Sequence, residues 1–339
     1  MSLLDLSNPN ATAWFSTVIK EEVAMCGSTA RVDCGVDSCC VNGYMADYGE
    51  YLPFDAKLAS GESPFLWHNR YPEAWMQMNR VGLDAAFKYA QNDTGLFFTR
   101  GGGAQAPGQA ELVWLGDQLP SWDDSDGLKT VLRGMLSAGI SGFSLAHSDI
   151  GGFDIIKFKL LPVHYDRSEE LLIRWMELSA IADAVFRTHP SSSPNTTLQV
   201  FSNEALLSNF SFFARVHASL GDYREVLMEE ASSHGWPLVR HTGLHYSSTT
   251  PRVWNDTSQF MLGSDFIAAP VLDPSCITKI VFLPAEETWL DVWTGLPVES
   301  GMITVSAPIG RPPLFLRQGA SLAARLAALS LKSLYHLHK

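Results

Sequence analysis

Short apolar segments that alternate with helical segments constrain the fold of this chain more than any other feature. The apolar segments are too hydrophobic to leave one face of a strand in water, a property typical of parallel sheets covered by helices. The strand candidates are 41–47, 96–100, 111–117 and 140–149. Helical patterns separate them or follow the last, at 75–91, 126–138 and 168–186. The alternation predicts an α/β fold of the barrel type.

Each of the four strand candidates ends in, or just before, a charged residue. These residues are Asp47, Arg100, Asp117 and Asp149. In a (β/α)8 barrel, the carboxyl ends of the strands form the face that binds substrate. A single charged residue at a strand end usually anchors a loop, but four in succession favour a shared site.

From about residue 255 the pattern changes to short strands and turns without intervening helices. Such a pattern predicts an all-β domain. We therefore expect three parts: a partial barrel over 1–250, a β-sandwich-like domain over 251–320, and a helical tail over 321–339.

Composition argues against several functional classes. The net charge is −12 and no run of lysine or arginine stands out, so a nucleic-acid partner is not expected. No stretch of eighteen apolar residues occurs, so no membrane-spanning segment is expected. Four of the five cysteines crowd together without a histidine pair, which fits neither a disulfide framework nor a zinc site. They are Cys26, Cys34, Cys39 and Cys40.

The compartment is left open by two opposing signals. The Asn-X-Ser/Thr pattern occurs five times and indicates a secretory history. Its positions are Asn10, Asn92, Asn195, Asn209 and Asn255. The first residues, MSLLDLSNPN, have neither the basic start nor the apolar segment of a signal peptide. Cytoplasmic and secreted locations therefore both remain possible.

Two aspartates beside aromatic side chains indicate chemistry on a sugar. Asp47 lies between Tyr44 and Tyr48, and Asp117 follows Trp114. Cleaving a glycosidic bond requires one carboxyl as nucleophile or base and another as proton donor. Two strand ends on one barrel rim can bring such groups to the separation of about 5–5.5 Å of a retaining pair. We expect the two carboxyls to face each other across one pocket.

Several segments, in order, resemble glycoside hydrolase family 31. They are MADYGEYLPFD, LWHNRYPEAW, FFTRGG, VWLGDQLPSWDDSDGL, SGFSLAHSDIGGF, ELLIRWMELSA, FRTHP and GSDFIAAPV. Within the family, the chain is most similar to the sulfoquinovosidase branch, over about residues 5–320. The resemblance implies a (β/α)8 TIM barrel, present here as about strands 4–8, followed by an all-β domain.

The resemblance also implies roles for individual residues. Asp47 falls on the catalytic nucleophile and Asp117 on the general acid/base, with Arg100 orienting one of these two carboxylates. The residues expected to contact the sugar are Arg100, Trp114, Gln118, Asp149, Phe153 and His189. A small carbohydrate is the expected partner, and no metal or organic cofactor is needed.

Three departures from the family pattern accompany the resemblance. Family members begin with a β-sandwich domain and the first barrel strands, so a fragment or an incomplete gene model is expected here. The sulfoquinovosidase branch recognises the sulfonate through an arginine and a tryptophan before the nucleophile and through a tyrosine that falls on Phe153, which lacks a hydroxyl donor. The loop at 26–40 is longer than expected.

Two functions remain open at this point. The first is a retaining α-glycosidase acting on α-glucosides or α-sulfoquinovosides. The alternative is an inactive remnant that acts at most as a sugar-binding or interaction protein. The intact Asp47 and Asp117 favour the enzyme.

Overall fold

The computed structural model describes residues 3–25, 41–90, 95–153, 156–157, 164–191, 193–246 and 251–338. The chain divides into two compact units, Met1–Trp114 and Leu115–Lys339. The cysteine-rich loop and Asn92 lie outside the described residues. The predicted division into three parts stays a prediction.

The first unit contains helices and a parallel sheet, and the strands of the sheet lie in segments that the apolar pattern singled out. Its elements are α1 (Pro9–Val18), the π-helical turn α2 (Ile19–Ala24), β1 (Gly43–Met45), α3 (Pro64–Ala90), β2 (Leu96–Thr99) and β3 (Leu112–Trp114). Asn8 caps α1 through its side chain, and Pro9 suits the first turn because it lacks an N–H to satisfy.

Strands β1, β2 and β3 pair in parallel and in chain order. Tyr44 lies opposite Phe97, and Phe98 lies opposite Leu112. Phe97 and Leu112 are buried, as expected for strands covered on both faces. This part of the predicted α/β fold is confirmed.

Helix α3 begins earlier than the sequence pattern predicts, at Pro64 rather than residue 75. Pro72 lies inside it and removes one helical hydrogen bond. Tertiary packing holds the turn before the proline, because the buried Tyr71 packs with Leu6 and Leu52 and donates its hydroxyl hydrogen to Leu4 O at 2.8 Å.

The second unit carries further helices and the antiparallel β region. Its elements are α4 (Leu128–Ile140), β4 (Ala146–His147), β5 (Ile156–Lys157), β6 (His164–Tyr165), α5 (Glu169–Ala182), α6 (Glu204–Ser219), α7 (Gly221–His234), β7 (Val239–Arg240), α8 (Gly243–Tyr246), a 3-10 turn (Pro251–Asn255), β8 (Phe260–Leu262), β9 (Phe266–Ala268), β10 (Thr278–Leu283), β11 (Trp289–Asp291), β12 (Pro297–Val298), β13 (Gly301–Ser306), β14 (Leu314–Arg317) and α9 (Leu322–His338).

Two elements of this unit differ from their prediction. The strand expected over 140–149 is confined to β4, because the preceding residues form the turn that ends α4, with Gly142 at φ 99°. The antiparallel pair β5–β6 was not predicted at all.

The C-terminal region is rich in β-strands, as predicted, and its strands pair antiparallel. Six strands pair in the order β12-β11-β14-β9-β8-β7, and β10 pairs with β13 in a separate ribbon. The six-stranded sheet takes its first strand, β7, from residues before 255. Among the described residues, no helix combines the length and apolar character needed to cross a membrane.

Helix α5 is buried from Leu171 to Ala182 and is connected to the β region by an ion pair. Ser168 caps it by accepting a hydrogen bond from Leu171 N. Arg174 donates to Glu177 at 2.9 Å and to the carbonyls of Cys276 and Ala307 at 2.8 Å each, while Glu177 accepts from Gly310 N at 2.7 Å. The pair therefore connects α5 to the loops before β10 and after β13.

Arg174→Ala is expected to lower the free energy of unfolding by about 3–5 kcal/mol, because it leaves Glu177 buried without its counter-charge. Arg215→Ala, on the exposed face of α6, removes an arginine without burying an unpaired charge and serves as the control. Urea unfolding measures both changes. Equal losses in the two variants would contradict this account of the ion pair.

Candidate active site

Asp47 stands on a strained turn immediately after β1. Tyr48 adopts the left-handed region at φ 62°, and its backbone N–H donates to Asp47 Oδ1 at 2.7 Å. A non-glycine residue in this region costs about 1–3 kcal/mol and is held only by its surroundings. The side chain of Asp47 is 30% exposed. The turn therefore presents an accessible carboxylate at the carboxyl end of the sheet.

Gly49 makes this turn possible. Its φ is 97°, and a Cβ at this position would lie 2.7 Å from Trp75 Cδ1. Gly49→Ala therefore adds a steric clash to backbone strain of about 1–3 kcal/mol. We expect it to reduce both the unfolding free energy and the rate of any reaction that uses Asp47.

Gly61 provides a matched control for this substitution. Its φ is also positive, at 72°, but no atom lies within 4 Å of a Cβ placed there. In urea unfolding, Gly61→Ala should report backbone strain alone, and Gly49→Ala should be less stable than it. Equal stability of the two variants would exclude the clash with Trp75.

Arg100 contacts Asp47 and a second carboxylate. Its Nε lies 3.3 Å from Asp47 Oδ1 and 2.5 Å from Glu50 Oε1, and its guanidinium lies 4.8 Å from the ring centre of Tyr48. Burial alone would lower the pKa of Arg100, but the hydrogen bond and charge of Glu50 and the charge of Asp47 raise it above its ordinary value. The resemblance left open whether Arg100 orients Asp47 or Asp117, and within this unit Arg100 contacts Asp47.

Trp114 lies beneath Arg100. Its side chain is only 2% exposed, and the guanidinium carbon of Arg100 lies 5.7 Å from its ring centre. In this unit the indole therefore packs against the cation. The predicted contact of Trp114 with sugar stays a prediction.

In the second unit, Asp117 lines a cavity of about 320 Å³. The residue before it, Gly116, has φ 85°, and the side chain of Asp117 is exposed. Gln118 is largely buried and donates through Nε2 to Leu115 O at 3.1 Å. A polar cavity is thus present beside the predicted proton donor.

Phe153 and His189 lie next to this segment. Phe153 N donates to Gln118 O at 2.8 Å, and the rings of Phe153 and His189 are 4.5 Å apart. Ser191 N donates to His189 Nδ1 at 3.0 Å, so neutral His189 carries its hydrogen on Nε2. Residues expected to contact the sugar therefore meet within this unit.

The pKa of His189 lies below its ordinary value. Burial is the largest cause, the nearby Arg187 and Arg167 add to it, and a hydrogen bond to the Phe153 backbone and the charge of Asp117 oppose it. His189 is therefore neutral at pH 7 and is held against the backbone of Phe153.

Asp149 is fully buried and lies in the segment that leads to Phe153. Arg187 donates to Asp149 Oδ1. Arg167 donates to Gly151 O at 2.9 Å and also to the carbonyl of Gly152. The two arginines therefore hold the Asp-Ile-Gly-Gly-Phe loop in place.

Sequence reasoning missed Glu50, Arg167 and Arg187. Glu50 and Arg187 belong to the segments quoted for the family resemblance, GEYLP and FRTHP, so their position in a motif was the available signal. No comparable signal marked Arg167, whose importance follows from carbonyls that are distant in sequence.

The predicted site residues fall into two groups. Asp47, Arg100 and Trp114 belong to the first unit, and Asp117, Gln118, Asp149, Phe153 and His189 belong to the second. The approach of Asp47 to Asp117 stays a prediction. In the parts of the chain that the structure describes, no three histidine, cysteine or acidic side chains are grouped as metal ligands would be.

The chain is similar to two family models and to individual proteins of the same family. Residues 1–224 match the glycosyl hydrolases family 31 TIM-barrel domain, and residues 235–322 match the glycosyl hydrolase family 31 C-terminal domain. Sulfoquinovosidase of Escherichia coli strain K12 is 35% identical over 327 residues, which are 96% of this chain and 44% of that protein. Sulfoquinovosidase of Agrobacterium fabrum strain C58 is 33% identical over 94% of this chain and 45% of that protein.

A solved structure extends the similarity to three dimensions. A family 31 sulfoquinovosidase from E. rectale, in complex with the aza-sugar inhibitor IFGSQ, superposes with a TM-score of 0.85 and 33% identity. The alignment covers 98% of this chain and 46% of the other. The chain thus spans about half the length of the relatives that it matches.

Proposed function

The chain belongs to glycoside hydrolase family 31, and from this premise we propose that it hydrolyses terminal α-glycosides with retention of configuration. The observation that carries the proposal is Asp47, a partly exposed carboxylate at the end of a parallel strand, 3.3 Å from the guanidinium of Arg100. The guanidinium at this distance can hold the Asp47 carboxylate in one orientation.

In the first step, Asp47 attacks the anomeric carbon and forms a glycosyl ester. The bond from that carbon to the leaving oxygen breaks, and Asp117 gives its proton to this oxygen. Asp117 is suited to the task by its exposed position at a polar cavity, which leaves room for the departing group.

In the second step, the ionised Asp117 removes a proton from water. The water oxygen attacks the anomeric carbon, the ester bond breaks, and Asp47 regains its negative charge. Each step inverts the anomeric centre, so the two together retain the α configuration. The proton that Asp117 gives up in the first step is thus regained from water in the second.

The sugar is held by groups that donate or accept hydrogen bonds around these two carboxylates. Arg100 supplies positive charge beside Asp47, and neutral His189, which is hydrogen-bonded to the Phe153 backbone, fixes the position of Phe153. The aromatic face of Phe153, which packs against His189, offers apolar surface to the C–H groups of a sugar ring. A small carbohydrate is therefore the proposed partner.

Two substrate classes have specific support. The relatives from E. coli and A. fabrum, which align with almost the whole chain, are sulfoquinovosidases and support α-sulfoquinovosides. Phe153, which lacks the hydroxyl donor expected for sulfonate recognition, favours a neutral α-glucoside as the second candidate.

The experiment compares initial rates on 4-nitrophenyl α-sulfoquinovoside and 4-nitrophenyl α-glucoside. Release of nitrophenol from at least one is expected, and proton NMR of the early product should show the α anomer before mutarotation. No turnover of either substrate, or a β anomer appearing first, would contradict the proposal. The ratio of the two kcat/KM values decides between the substrate classes.

A further inference from the structure

We propose that Asp183 is a positioning residue that fixes the segment from Ser148 to Phe153, and with it the placement of Asp149 and Phe153 at the sugar. The inference rests on the proposed function, because the contact of Phe153 with sugar belongs to it, and on the contact of Asp149 with sugar that the family resemblance implies. Asp183 lies at the C-terminal end of α5 and is fully buried.

The carboxylate of Asp183 binds the backbone and the side chain of one residue. Its Oδ2 accepts hydrogen bonds from Ser148 N at 3.0 Å and from Ser148 Oγ at 3.1 Å. Ser148 Oγ in turn accepts from Trp175 Nε1 at 3.0 Å. The residue immediately before Asp149 is therefore held at its backbone and at its side chain.

Backbone hydrogen bonds on both sides of this contact join the residues that follow α5 to the segment that contains Asp149. Ala184 N donates to Ala146 O at 2.8 Å, and Ile150 N donates to Arg187 O at 3.0 Å. The side chain of Arg187 then donates to Asp149. The stretch that follows α5 thus supports the Asp149 segment through Asp183 at one end and Arg187 at the other.

Burying the carboxyl group of Asp183 costs free energy, so filling space in the core does not by itself explain an aspartate at this position. Burial raises the pKa of Asp183 to about 7, although the hydrogen bonds from Ser148 and the charge of Arg224 lower it. Arg224 donates to the carbonyls of Ala180 and Ile181 and stabilises the same end of the helix. A buried carboxyl is retained where its hydrogen bonds orient other groups.

Removal of the acceptor should displace the segment. In Asp183→Ala, the N–H and hydroxyl of Ser148 lose their partner, and an unsatisfied buried donor favours rearrangement. We expect kcat/KM to fall about 100-fold, because a displacement of about 1 Å at a binding group has an effect of this size. Asp183→Asn keeps an acceptor oxygen for Ser148. Its kcat/KM should therefore lie only about tenfold below that of the parent protein.

A second readout follows the segment itself. Amide hydrogen exchange of a peptide covering residues 146–150 should be about tenfold faster in Asp183→Ala than in the parent, as expected for the loss of one buried hydrogen bond. Arg174→Ala provides a destabilised control, because it weakens α5 through contacts with Glu177 and Cys276 and not with Ser148. Its kcat/KM should remain near the parent value, and its exchange at 146–150 should rise less than that of Asp183→Ala under conditions in which both variants are folded.

The outcomes separate this inference from the proposed function. A parent protein that hydrolyses neither nitrophenyl glycoside overturns the proposed function, while faster exchange in Asp183→Ala alone still supports the positioning of the segment. In an active parent, unchanged exchange and unchanged kcat/KM in Asp183→Ala overturn the inference. Equal losses in Asp183→Ala and Arg174→Ala also overturn it, because they assign the effect to stability.

Discussion

Asp47→Asn is expected to lower kcat/KM for α-glycosides by on the order of 10⁴-fold or more, the scale of removing a nucleophile. The amide of asparagine cannot form the glycosyl ester, so the first chemical step is lost. Asparagine has nearly the same volume as aspartate, and its amide oxygen can still accept from Tyr48 N. Stability should therefore change little, and initial rates on the two nitrophenyl glycosides report the loss.

A fluorinated glycosyl fluoride tests the same residue directly. This reagent traps the ester of a retaining enzyme, so the peptide that contains Asp47 should gain the mass of the fluorosugar in the parent only. Asp55→Asn, in the same segment and also exposed, is the matched control and should keep both activity and labelling. Labelling of Asp47→Asn at this peptide would contradict the assignment, as would an equal loss in Asp55→Asn.

Asp117→Ala is expected to lower kcat by about 10²–10⁴-fold for substrates with poor leaving groups, the usual contribution of a general acid. The loss on the glycosylation step should be smaller for 4-nitrophenyl glycosides, since nitrophenolate leaves without protonation. The comparison of alkyl and nitrophenyl glycosides therefore shows whether Asp117 supplies a proton.

Azide should restore turnover of Asp117→Ala. It attacks the glycosyl ester on Asp47 without needing a general base, and the product should be the α-glycosyl azide, because two inversions have occurred. Asp123→Ala removes an exposed carboxylate from the same loop and should show neither effect. A β-glycosyl azide, or rescue absent at high azide concentration, would assign the acid/base role to another group.

The alternation of apolar and helical segments was enough to predict the parallel β1–β2–β3 sheet, and the short strands and turns after about residue 255 were enough to predict an all-β region. Both follow from local rules, because the spacing of apolar side chains within a strand or helix determines which of its faces is buried. The turn at Gly49 and the helix cap at Asn8 likewise depend on residues within a few positions of one another. The position of Asp47 and Asp117 at strand ends therefore followed from the pattern and the family resemblance.

Contacts between distant segments could not be predicted in this way. The link from Asp183 to Ser148 spans 35 positions, and the contact of Arg100 with Glu50 spans 50. Neither partner carries a sequence signal that selects the other, because the choice depends on which surfaces pack together. The early start of α3 at Pro64 has the same origin, since Tyr71 holds that turn by tertiary contacts.

Residues close together in the chain were thus enough to predict the family, the order of the elements and the identity of the two candidate carboxylates. The partners that hold those carboxylates and their neighbours were decided only by the tertiary structure. Local spacing specifies which face of an element is apolar, whereas the energy of a buried charge depends on groups that folding brings to it.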